Sequence, residues 1–123
     1  MPETQLKPKV LVVDDERVIA DTLAVILNQS GFQAKAAYSG EEALDIASTF
    51  EPDMLITDVI MADLNGIAAA IRIRALLPRI KILLFSGQAA TADLLEKARG
   101  RGYEFEILAK PVHPQDLLNK LRG

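Results

Sequence analysis

Short apolar runs alternate with longer segments of helical period along this chain. Lys9–Val13 is apolar and rich in β-branched residues, the signature of a strand covered on both faces. Glu16–Ser30 then carries Val18, Ile19, Thr22, Leu23, Ile26 and Leu27 at helical spacing, and Gly31 supplies the stop. Gln33–Ala37 reads as a second, weaker strand. Ser39 caps a helix over Gly40–Phe50, with Glu42 three residues on completing a capping box, and Glu51-Pro52-Asp53 breaks it. Met54–Thr57 is a third strand, and Val59–Gly66 a loop with Asn65-Gly66 as turn chemistry. Ile67–Leu77 is an alanine-rich helix ended by Pro78. Lys81–Phe85 is a fourth strand, Thr91–Arg99 a helix stopped by Gly100 and Gly102, and Phe105–Ala109 a fifth strand. After Pro111, His113–Arg122 places Leu117, Leu118 and Leu121 on one face of a last helix.

Strict alternation of strands and helices, about five of each, predicts an α/β fold. Short connections and right-handed crossovers favour a doubly wound five-stranded parallel sheet with helices on both faces. The flavodoxin-like order 2-1-3-4-5 makes strands one and three neighbours at the switch point. Residues 1–8, with two prolines and little apolar content, are expected to be a flexible N-terminal arm, and 9–123 a single domain.

Composition narrows the class. A chain of 123 residues buries roughly two thirds of its unfolded surface, enough for a core without staples. With no cysteine, disulfide and thiolate chemistry are ruled out. A net charge of −3 argues against a nucleic-acid surface. Apolar runs are strand-sized, and Met1–Gln5 lacks the apolar core of a signal peptide. The expectation is a cytoplasmic domain without nucleic-acid or membrane partners.

Chemistry gathers where the strands end. Asp14-Asp15 follow Val10–Val13, Asp58 follows Met54–Thr57, and Lys110 follows Ile107-Leu108-Ala109. A parallel sheet presents its chemistry at the carboxyl ends of its strands. In the order 2-1-3-4-5 three carboxylates and an ammonium share one crevice, with Ser86 at its other side. Crowded carboxylates repel, so the pocket calls for a divalent cation. Phosphate chemistry on an aspartate follows. Each residue alone has a plainer role: Asp14-Asp15 as helix caps, Asp58 and Ser86-Gly87 as turn residues, Lys110 as a solvated charge. Coincidence of all four at strand ends is much harder to obtain by chance. His113, the only histidine, has no partner pattern and reads as helix-start surface.

These segments resemble the receiver domain of two-component response regulators. The matching pieces are Val12-Val13-Asp14-Asp15-Glu16, Thr57-Asp58-Val59-Ile60-Met61 with Asn65-Gly66, Phe85-Ser86-Gly87 and Lys110-Pro111. The resemblance implies that Asp58 accepts a phosphoryl group from a histidine kinase or histidine phosphotransfer protein. It implies Mg²⁺ held by Asp15, by Asp14 directly or through water, by Asp58 and by the backbone carbonyl of Ile60. Lys110 would neutralise a phosphoryl oxygen, Ser86 would donate a hydroxyl hydrogen bond to another, and the Lys110-Pro111 peptide would be cis. Ile60 and Gln88 would line the rim and gate attacking water.

The chain departs from the family pattern at three places. Ala62 stands where proline is usual, Ile107 stands where tyrosine or phenylalanine is usual, and Gly100–Tyr103 does not align cleanly with the approach to strand five. Tyr103 and Phe105 are aromatic but out of register. The implied output surface is the fourth helix, fifth strand and fifth helix, including Asp93, Glu96, Lys97, Glu104, Glu106 and Leu117 or its neighbours. The reading is a signalling switch rather than an enzyme, assisting its own phosphorylation and dephosphorylation. It would be a monomer or weak homodimer, acting as a single-domain regulator by protein contact. The alternative is a phosphorylation-independent interaction module of the same fold, which Ile107 favours. A haloacid-dehalogenase-like phosphatase would need a second aspartate where Ile60 stands. Asp14-Asp15-Glu16 would repel a flavin phosphate, and there is no Walker or dinucleotide glycine motif.

Overall fold

The computed structural model describes residues 7–61, 65–87, 91–103 and 105–122. The first six residues of the expected arm, and Ala62, Gln88 and Glu104, lie outside the described residues. The elements run β1 (Lys9–Val13), α1 (Arg17–Gln29), β2 (Gln33–Ala37), α2 (Gly40–Phe50), β3 (Met54–Asp58), α3 (Gly66–Leu76), β4 (Lys81–Ser86), α4 (Thr91–Gly100), β5 (Glu106–Ala109) and α5 (Pro114–Arg122). All strand pairs are parallel, in the order β2-β1-β3-β4-β5.

The central strands form because their apolar runs have two faces to cover. Val10 to Val13, Leu55 and Ile56 are fully buried. Strand alternation divides them between two cores. Leu11, Val13, Leu55 and Leu84 pack with α2, α3 and α4, whereas Val10, Val12, Ile56, Leu83 and Phe85 pack with α1 and α5. Each fully buried aliphatic side chain contributes roughly 1.5–3 kcal/mol relative to exposure.

Helix ends follow local chemistry. Ser39 Oγ accepts from Glu42 N at 3.0 Å, while the Glu42 carboxylate reaches past the cap to Tyr38 N at 2.6 Å. The box is therefore displaced by one residue from its ideal form. Glu51 closes α2 in the left-handed region at φ 50°, directly before Pro52.

Exposure is more selective than helical spacing on α1 and α5. Val18 and Thr22 have core spacing but lie on solvent, Val18 at 79 % exposure. Ala20 and Ala24 take the core positions instead, because α1 packs closely on the sheet through small residues. Of Leu117 and its neighbours, Leu117 is 1 % exposed and packed with Leu118 and Leu121 under α5, so the exposed alternatives are the neighbours. Its neighbours Gln115 and Asp116 are exposed, as are Asp93, Glu96, Lys97 and Glu106.

Candidate functional site

Register brings the site together. Val13 is aligned with Thr57, Asp58 with Phe85, and Ser86 with Ala109. The residues at these ends (Asp14, Asp58, Ser86 and Lys110) therefore emerge along one edge of the sheet. Asp58 and Ser86 are the last residues of their strands, where the sequence pattern ends each strand one residue earlier.

Asp14 is fully buried, and its backbone N–H continues the ladder to Ala37 O at 3.1 Å. Its Oδ1 accepts from Glu16 N at 2.9 Å, but the N-cap of α1 is Glu16, which makes no side-chain cap bond. Asp14 therefore does not cap α1, and a local turn bond uses only one of its oxygens. Lys110 Nζ lies 3.4 Å from the other, Asp14 Oδ2, and 3.0 Å from Asp58 Oδ2. The lysine nitrogen also stands 5.2 Å from the centre of the Phe85 ring, a cation–π contact. The Lys110–Pro111 peptide bond is cis, and Lys110 N donates to Ser86 O at 3.0 Å.

The electrostatics follow from burial and crowding. Burial is the largest influence on Asp14 and raises its pKa. The Glu16 N–H and Lys110 pull the other way, and Asp58 adds to the rise. Burial is also the largest single influence on Lys110 and works against its charge. The hydrogen bond and charge of Asp58, with those of Asp14, outweigh burial and leave the lysine pKa raised.

Oxygen atoms of Asp14, Asp15 and Asp58 lie within 4.8 Å of one another. Three ionised carboxylates against one ammonium leave an excess of two negative charges, which a divalent ion would balance. An all-oxygen donor set of this kind suits Mg²⁺ over softer metals. Asp15, Glu16, Asp58, Ile60, Gly87 and Lys110 wall an open cleft of about 350 Å³ over the carboxylates. Ile60 stands at its rim, 37 % exposed. Ser86, directly before the cleft-lining Gly87, is buried. Ile107 is elsewhere, lining a separate pocket with Leu95, Arg99, Tyr103 and Phe105. There Tyr103 and Phe105 stack in parallel, with ring centres 6.3 Å apart.

The sequence pattern marks Glu16 and Gly87 only as parts of motifs, yet both wall the cleft. Thr57 and Gly66 are less visible still. The buried Thr57 hydroxyl donates to Asp58 O at 3.0 Å. Gly66 is the first residue of α3 rather than a turn position, with Asn65 as its N-cap accepting from Ala68 N at 2.8 Å.

A doubly wound parallel sheet with an acidic, lysine-closed cleft at its switch point defines the class of protein. The chain matches the response regulator receiver domain over residues 10–122, and it belongs to that family of two-component signalling modules. It is 28 % identical over 115 residues to response regulator MprA of Mycobacterium avium, covering 94 % of this chain and 50 % of that protein. The chain thus spans about half the length of the curated relatives it matches. A CheY-like receiver domain protein from Methanospirillum hungatei superposes with a TM-score of 0.85 at 25 % identity, over 95 % of this chain and 92 % of that one. Chemotaxis protein CheY4 of Vibrio cholerae gives 0.84 at 27 % identity, over 95 % and 98 %. Among the described residues no helix is long and apolar enough to cross a membrane.

Proposed function

We propose that this domain is a phosphorylatable switch in a phosphorelay, with Asp58 as the phosphoacceptor. The observation that carries this reading is the Lys110–Asp58 contact of 3.0 Å beside a cluster of three carboxylates. Asp58 presents a carboxylate oxygen to the cleft. In-line attack on a phosphohistidine would form an O–P bond and break the P–N bond, with imidazole as the leaving group. Bound Mg²⁺ would neutralise charge on the phosphoryl oxygens, held by Asp15, Asp58, the Ile60 carbonyl and Asp14 directly or through water. Lys110 would release its contact with Asp58 to pair with a phosphoryl oxygen. Ser86 would donate its hydroxyl to another.

The donor would be a histidine kinase or histidine phosphotransfer protein. The exposed Val18 of α1 lines an apolar groove with Ile19, Ile26, Lys110 and Pro111, which offers a partner helix a surface next to the cleft. The output would be a population shift that one partner reads better in one state. A second reading, an interaction module indifferent to phosphorylation, draws on Ile107, which lacks the ring usual at that place. Incubation with a small phosphoryl donor and Mg²⁺ separates the two readings: the first requires uptake that Asp58→Asn abolishes, the second requires none.

A further inference from the structure

The Asp58 backbone is gripped from two directions by groups with no part in the chemistry above. Its carbonyl oxygen accepts the Thr57 hydroxyl at 3.0 Å, in a fully buried position. The α-carbon of Gly66 presses on the same peptide. A β-carbon at position 66 would overlap the Asp58 carbonyl oxygen, and would lie 2.8 Å from its carbonyl carbon and 3.0 Å from Val59 Cα. Gly66 N also donates to Val59 O at 2.7 Å, which ties the first turn of α3 to the end of β3. On the sheet side, Val59 N donates to Phe85 O at 3.2 Å.

We propose that Thr57 and Gly66 are positioning residues for the phosphoacceptor: together they clamp the Asp58 peptide and so fix where its carboxylate stands. The inference rests on Asp58 being the acceptor. It follows from connectivity. The side chain is carried by the α-carbon of Asp58, and that atom is held by the peptide the clamp grips. Reaction rate is steeply sensitive to such placement, since about 1 Å can cost roughly 10²-fold. Glycine is required at 66 for lack of space, because only its missing side chain allows α3 to seat directly on β3.

The test compares Gly66→Ala with Asn65→Ala in the whole protein. Both weaken the start of α3, but only the first touches the Asp58 peptide. Gly66→Ala should slow phosphoryl uptake from acetyl phosphate by roughly 10- to 100-fold per folded molecule. It should also move the ¹³C resonance of the Asp58 carboxyl in metal-free protein. Asn65→Ala should lower the melting temperature and leave both unchanged. Thr57→Val should slow uptake and move the same resonance, and Thr57→Ser should restore both. The clamp is overturned if folded Gly66→Ala keeps the parental rate and resonance. If Gly66→Ala does not fold, a Thr57→Val protein with parental rate and resonance overturns it equally. A parent that takes up no phosphoryl group removes the functional reading instead, and the carboxyl resonance still decides the clamp.

Discussion

Lys110 reaches from the end of β5 across β4 to hold Asp58, with its nitrogen 3.0 Å from the carboxylate and its side chain only 23 % exposed. The contact spans 52 positions of sequence and joins the strand ends that define the cleft. In the proposed function, phosphorylation of Asp58 would exchange one anionic partner of the lysine for another.

Removing that ammonium has a measurable cost. Lys110→Met should lower metal-free stability at neutral pH by roughly 1.5–3 kcal/mol, the scale of a hydrogen bond to a charged group. The Lys110 pKa is raised, so the contribution is fully present below its ordinary value of 10.5. It is lost as pH rises through the higher folded value. Urea unfolding from neutral to strongly alkaline pH should show the parent–variant gap closing only above 10.5.

Asp14 carries the opposite sign. Its folded pKa is raised chiefly by burial, so the ionised form works against folding above that value. This penalty fades as pH falls towards and below the ordinary 3.8. Asp14→Asn should therefore raise the metal-free melting temperature at pH 7 by several degrees, and the gain should vanish in acid. Thermal melts across pH check both parts.

Mg²⁺ should stabilise the parent by mass action, about 2.7 kcal/mol at a hundredfold excess over its dissociation constant. Asp15→Asn should largely abolish that gain. Melts with and without Mg²⁺ provide the comparison.

Ile60 at the rim covers part of the cleft with an apolar side chain. A polar residue there would admit and orient water differently. Ile60→Asn should change the rate at which phosphorylated protein loses its phosphoryl group, measured by quench-flow or by mass. An unchanged lifetime would remove Ile60 from that role.

The alternation of apolar runs and helical periods makes the order of elements legible before any coordinates, because a buried parallel strand has few ways to be written. The acidic cluster is legible for the same reason, since strand ends in this topology converge. What escapes the pattern depends on contacts across space. Asn65-Gly66 has the composition of a turn, and only the seating of α3 on β3 turns it into a cap and a close approach to Asp58. Val18 shows the same limit on α1. Helical spacing identifies an apolar stripe, but which part of the stripe is covered depends on how the helix lies on the sheet. Glu42 reaching Tyr38 rather than Ser39 is likewise a matter of side-chain reach, one residue beyond what the motif specifies.

The most direct measurement is intact-mass analysis after incubation with acetyl phosphate and Mg²⁺, followed by hydride trapping and peptide mapping of the modified residue. A single Mg²⁺-dependent phosphoryl adduct is expected, mapped to Asp58 and absent from Asp58→Ala. An adduct on Asp14 or Asp15, or none on folded protein that also fails to bind Mg²⁺, would contradict it.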